Sequence, residues 1–164
     1  MRIIITLSAD KSGVIDFNYQ HQIQAIIYGF LSRSNPDYAQ WLHQQGFVYK
    51  KDKRFKLFVF SGITFDGPIK ITRSVSTNHS SGSNGLNELS GLNGLNSLNR
   101  RHGFSFKSSQ TNPFTFSFQI ASPVDKFIQH LIEGIFHEGN EIVLGRQQVT
   151  IHRIETLPDP IAFN

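Results

Sequence analysis

Twice along this chain a strand-like run of apolar residues leads into an amphipathic helix, which leaves 164 residues few ways to fold. The first unit opens with Arg2-Ile3-Ile4-Ile5-Thr6-Leu7, β-branched and apolar, which predicts a buried strand. Gly13 and Asn18 bracket a loop, and Asn18 is placed to cap a helix. That helix carries Ile23, Ile26, Ile27, Phe30 and Leu31, the i, i+3, i+4, i+7, i+8 stripe of one buried face. Asn35 as a cap and Pro36 at the first helical position start a second helix. Its apolar face is Tyr38, Trp41 and Leu42, and Gly46 ends it. In the second unit Phe114, Phe116 and Phe118 alternate with Thr115, Ser117 and Gln119, a half-buried strand. Ser122-Pro123-Val124-Asp125 then opens a helix with Val124, Phe127, Ile128, Leu131 and Ile135 on one face, ending by Gly139.

Strands are also expected at Leu57 to Phe65, at Ile69 to Thr72 after an Asp66-Gly67-Pro68 turn, and at Glu141 to Leu144 and Val149 to Ile154 around Gly145. With the paired helices counted as one element, the order is β-α-β-β-α-β. That order predicts an α+β, ferredoxin-like (RRM-like) domain, an antiparallel sheet with its helices on one face. Residues 74–112 stand apart, rich in Ser, Asn, Gly and Leu, with Gly-Leu-Asn triplets at 85–87, 91–93 and 94–96. Leu at every third position fits neither helix nor strand, so a low-complexity, mobile insertion is expected there. Residues 1–157 then form one domain, and 158–164 read as the start of a linker.

Composition narrows the function classes. With no Cys, disulfide frameworks and thiolate metal sites are excluded. No apolar run approaches the roughly 18–20 residues that span a bilayer, and the apolar run at the N-terminus is too short for a signal peptide. A cytoplasmic protein with no membrane partner is the expectation. No phosphate-binding loop, dinucleotide fingerprint or Gly-x-Ser-x-Gly motif is present. His130 and His137, seven apart on the last helix, have no carboxylate or Cys to complete a zinc set, so neither metal nor cofactor is expected.

The net charge of +4 is unevenly spread. Residues 46–73 hold 7 basic and 2 acidic groups, net +5, while residues 113–164 are net −3. Within the basic stretch Lys50, Lys51, Lys53, Arg54 and Lys56 interleave with Tyr49, Phe55 and Phe58. Cations for phosphates and rings for unstacked bases suit RNA better than a membrane surface. An RRM-like rival would instead read RNA with Phe114, Phe116 and Phe118, but their shared face suits a core.

Two side chains sit where the helices need nothing for packing. At about 100° per residue, Tyr28 lies roughly 130° from the apolar stripe of its helix and His43 roughly 145° from that of the next. Lys56 follows at the entrance to the next strand. Such a trio suits metal-free RNA cleavage, in which the 2′-hydroxyl attacks its own phosphate. The protein then needs only to move protons and stabilise charge. A His does the first near neutral pH, a Tyr positions or donates, and a Lys neutralises the phosphorane.

These residues also carry a family likeness. Tyr19-Gln20-His21-Gln22-Ile23-Gln24-Ala25-Ile26-Ile27-Tyr28 resembles the first helix of the CRISPR-associated repeat-processing endoribonucleases, the Cas6 type of RAMP protein. Ser34-Asn35-Pro36, Trp41-Leu42-His43 and Lys56-Leu57-Phe58 follow in the family's order, residues 2–7 resemble its first strand, and residues 141–157 its closing hairpin. The resemblance implies a nuclease that cuts CRISPR precursor RNA within each repeat, leaving a 2′,3′-cyclic phosphate and a 5′-hydroxyl. His43 matches the family's general acid/base, Tyr28 an assisting tyrosine and Lys56 a phosphate-steadying lysine. Lys50, Lys51, Lys53 and Arg54 would grip phosphates. The family also implies a second ferredoxin-like domain with a Gly-rich loop, supplied beyond the linker or by CRISPR effector subunits; a homodimer is compatible. The rival class is a non-catalytic repeat-RNA-binding scaffold subunit of a CRISPR complex.

Overall fold

In a computed structural model of the chain, residues 1–50, 53–72, 102–137 and 139–158 are described. The strand β1 (Arg2–Ala9) is central, with β9 (Phe114–Ala121) antiparallel on one side and β11 (Gln147–Leu157) antiparallel on the other. Beyond β11 lies β10 (Glu141–Leu144), and beyond β9 lie β5 (Val59–Phe60) and β6 (Thr64–Phe65). In the β-α-β-β-α-β scheme this is the order fourth, first, third, second, the ferredoxin-like sheet expected from the sequence.

The register explains the core. Ile3 pairs with Ile120, Ile5 with Phe118 and Leu7 with Phe116, so alternate residues of both strands point to one face. All six are buried there, and Arg2, Ile4 and Thr6 face the half-exposed side. The helices α1 (Tyr19–Ser34) and α3 (Asp125–Phe136) cover the buried face with Ile23, Ile27, Phe30 and Leu31 from one and Phe127, Leu131 and Ile135 from the other. The short α2 (Pro36–Gln44) adds Leu42. Among the described residues no helix is long and apolar enough to cross a membrane.

α1 and α3 cross at Gly134, where a Cβ would lie 1.8 Å from the backbone oxygen of Phe30. A methyl there must push two helices apart. Gly134→Ala is therefore expected to destabilise by about 1–3 kcal/mol, seen as a melting temperature several degrees lower. Gly29 is the control, because a Cβ there meets nothing within 4 Å. Gly29→Ala is expected to gain about 0.5–1 kcal/mol from helix propensity. Equal melting of both variants would contradict the close crossing.

Several expectations are corrected. The segment between Gly13 and Asn18 is not loop throughout, since β2 (Gly13–Asp16) is a strand. It belongs to a small sheet ordered β2-β8-β7, with β8 (Gly103–Phe106) and β7 (Ile69–Thr72). β8 falls inside the stretch 74–112 expected to be insertion, so residues 103–106 are strand; residues 73–101 lie outside those described. Phe106, in the strand between β2 and β7, is buried and stacks on Phe114 at 4.6 Å, and that burial outweighs the polar composition around it. The strand Leu57 to Phe65 is two short pieces, both on β9, broken at residues 61–63. The basic stretch forms a hairpin of β3 (Phe47–Tyr49) with β4 (Lys53–Phe55), where no strand was expected. Asn18 caps α1 through its backbone oxygen only. Ser122 turns the chain before α3 by accepting from the Val124 N–H at 3.0 Å, and the helix starts at Asp125, past Pro123. Of the expected linker, residues 159–164 lie outside those described; Pro158 is held by the Arg2 guanidinium at 2.8 Å.

Candidate active site and nucleic-acid interface

Tyr28 and His43 meet although 15 residues apart. Asn35 makes the meeting possible. Its side chain accepts from the Tyr38 N–H at 2.9 Å and its own N–H closes α1 on Leu31, so one residue ends the first helix and starts the second. The two helices then bring Tyr28, which packs against the core although no packing role was expected for it, to the exposed His43. The Tyr28 and His43 rings lie 5.1 Å apart, edge to face. Phe58 supports Tyr28 from below, 6.0 Å away, and itself stacks on Phe127 at 4.7 Å. His43 is exposed and Tyr28 half-buried. Burial pushes the Tyr28 phenol above its ordinary pKa, so it keeps its proton throughout the neutral range.

The end of α2 accounts for Lys56. A helix leaves its last four carbonyls without intrahelical partners. Here the Trp41 oxygen accepts from the Gln45 and Gly46 N–H groups at 2.8 and 3.0 Å. Gly46 takes φ +65°, the left-handed conformation of a helix stop. The Lys56 ammonium donates to the oxygens of both Leu42 and His43. The Arg54 guanidinium reaches the Gln44 oxygen at 3.4 Å. Two cations thus sit at the negative end of the helix, each worth about 0.3–1 kcal/mol there. Burial lowers the Lys56 pKa, and the charge of Arg54 lowers it further. The Lys56 ammonium consequently sits directly against the backbone of His43. Leu57, between Lys56 and Phe58, has φ +53°, a strained left-handed value for Leu that turns the chain out of the hairpin.

Of the expected phosphate contacts, Lys53 is exposed on the hairpin and Arg54 is exposed while also engaging α2. Lys50 is exposed at the hairpin turn with φ +48°. Lys51 lies outside the described residues. Tyr28, His43 and Lys56 are therefore brought together, and the basic hairpin stands beside them. Phe114, Phe116 and Phe118 are 6%, 0% and 1% exposed, which removes the sheet-face RRM reading.

His130 and His137 do not form a pair: His137 is exposed past the end of α3, and His130 is held elsewhere. The His130 Nδ1 lies 2.8 Å from Ser34 Oγ and 3.2 Å from Glu133, and Ser34 donates to Glu133 at 2.7 Å. These bonds, from Ser34 first, hold the Glu133 carboxyl below its ordinary pKa. Tyr38 packs on the His130 ring at 5.0 Å, and burial, then the nearby Tyr28 phenol, raises its pKa. Among the described residues no group of three or more potential metal ligands occurs. Phe58, which the sequence offered as a ring for unstacked bases, instead packs against the core on Phe127 and supports Tyr28.

Residues 14–84, less than half of the chain, match the family model described as CRISPR-associated protein Cas6, N-terminal. All of the site residues fall within them. The chain has no match among curated proteins. A solved structure described as CRISPR associated protein Cas6 is similar with a TM-score of 0.54 at 24% identity, covering 98% of this chain and 49% of that one. A RAMP protein binding different RNA substrates gives 0.58 at 16% identity, over 96% of this chain and 48% of that one. The product of a Cas6-related gene from Pyrococcus furiosus gives 0.61 at 18%, over 98% and 49%. At these identities the structures share the fold, and this chain spans about half the length of each. The family match and the shared fold bear out the Cas6-type resemblance.

Proposed function

We propose that this chain belongs to CRISPR repeat-RNA processing and acts as a metal-independent endoribonuclease of the Cas6 type. The observation that carries the reading is the junction of the Tyr28 ring with His43 at 5.1 Å, with the Lys56 ammonium on the His43 carbonyl. It lies inside the stretch that matches the Cas6 N-terminal model. The chemistry asks little of the protein. The 2′-oxygen bonds to the adjacent phosphorus as its proton passes to a base. The bond from phosphorus to the 5′-oxygen then breaks, and that oxygen takes a proton. The His43 imidazole is the group assigned to move protons. Tyr28, kept protonated by burial, donates a hydrogen bond. Lys56 offsets the charge building on the phosphorane. The hairpin cations Lys50, Lys53 and Arg54, with Lys51, hold flanking phosphates. The RNA-binding RAMP protein that shares the fold supports an RNA partner.

A second reading, a repeat-RNA-binding scaffold subunit, is favoured by one observation. The Lys56 ammonium is already engaged by the carbonyls of α2. The two readings separate in EDTA, with one repeat RNA unmodified and one carrying a 2′-deoxy nucleotide at the cut. The nuclease reading expects cutting of the unmodified strand alone, with a 2′,3′-cyclic phosphate end. Binding of both strands and cutting of neither would establish the scaffold reading.

A further inference from the structure

On the opposite side of α2 from His43 lies a groove of about 490 Å³, within the size range of small-ligand sites. Its walls are aromatic. Trp41 packs edge to face on Phe47 at 5.0 Å and against Tyr38 at 5.7 Å, and both Trp41 and Phe47 are only half-buried. The rim is polar. Asp37 is exposed, Asn35 gives its side-chain oxygen to Tyr38 and so has its NH₂ to offer, and Lys126 places its ammonium 5.5 Å over the Tyr38 ring. The hairpin adds a second cation. In the hairpin Phe47 pairs with Phe55 and Tyr49 with Lys53, and residues two apart share a face, so exposed Lys53 lies on the face that presents Phe47.

We propose that this groove holds one unpaired base of a single-stranded RNA, stacked on the Trp41 ring. The inference rests on the RNA-binding part of the reading above and does not need the cleavage part. A base fits where a phosphate would not. The Asp37 carboxylate would repel an anion inside the groove, yet it accepts from the amino or imino edge of a base. Lys126 at the rim and Lys53 on the hairpin face that carries Phe47 suit the phosphates flanking that base. Trp41 precedes His43 by two residues and faces the other way, so a strand bent around α2 passes both, with the groove a few nucleotides from the cut.

Trp41 is the sole Trp, so indole fluorescence reads this groove alone. The whole chain is titrated with the decauridylate U10 and with an abasic ribose-phosphate strand of equal length. U10 is expected to quench Trp41, and the abasic strand to bind more weakly without quenching. Trp41→Ala is expected to lose roughly 5- to 150-fold in U10 affinity, and Trp41→Phe to recover most of it. Lys126→Glu, at an exposed position, is expected to weaken U10 binding with unchanged melting. Equal binding of both strands with an unchanged indole signal would overturn the groove while RNA binding stood. No binding of U10 with binding of repeat RNA would overturn the groove alone, and binding of neither RNA would overturn both. Quenching without cutting of repeat RNA would uphold the groove and count against the nuclease alone.

Discussion

His43→Ala is expected to lower the rate of repeat-RNA cleavage by about 10²–10⁴-fold, the usual worth of a positioned proton-transfer group. RNA affinity should change little, because the exposed imidazole is not among the hairpin cations. Folding should survive as well, since the buried residues of α2 are Tyr38, Ala39 and Leu42. The comparison with Tyr28→Phe is the informative one. Burial raises the Tyr28 pKa, so this phenol loses its proton only above the ordinary value near 10. Tyr28 therefore contributes no change of rate between pH 5 and 8. Tyr28→Phe is expected to slow cleavage and keep the shape of the pH profile through that range. His43→Ala is expected to slow cleavage by more than Tyr28→Phe does. A His43→Ala enzyme as fast as the parent would remove the imidazole from the mechanism.

The sheet was legible because its signals are local. Ile3, Ile5 and Leu7, and Phe116 and Phe118, alternate, and one core face demands that alternation. Asn35 and Pro36 announced a helix junction that the structure contains. β8 was hidden although Phe104-Ser105-Phe106 carries the same alternation as Phe114 to Phe118. Only four residues long and set in Ser, Asn and Gly, it earns its burial from distant partners in β2 and β7. Sequence distance also hid β5 and β6. Each is a two-residue piece made into a strand by β9, and no window of that length has a period.

The site was legible in part for a different reason. An aromatic or a titratable group set away from the apolar stripe of a helix can be found by counting turns, which singled out Tyr28 and His43. That they would touch depends on the angle set at Asn35, which no helical count contains. Charge was the less faithful guide. Lys56 and Arg54 read as ligands for phosphate, and in the fold both also neutralise the end of α2. A cation near a helix C-terminus always has this second use, and only the packed structure tells how it divides.

Lys56→Met is expected to lower cleavage by about 10²–10³-fold, the loss typical of one preorganised charge at a transition state. The same substitution removes the donor from the Leu42 and His43 carbonyls, so a slower enzyme alone would not separate charge from support. Two further variants do. Lys56→Arg keeps the charge and can still meet the helix end, and is expected to restore much of the rate. Arg54→Gln removes a neighbour whose charge helps to hold the Lys56 pKa down, second to burial. The ammonium is active when protonated, so rate falls as pH rises through its pKa. Removing the Arg54 charge raises that pKa, and the alkaline fall must move to higher pH. The hairpin should lose RNA affinity in the same variant, which appears in KM, whereas the displaced limb appears in kcat. If the limb stays in place in Arg54→Gln, and Lys56→Arg is as slow as Lys56→Met, Lys56 is a strut for the helix that carries His43 and not a charge at the phosphate.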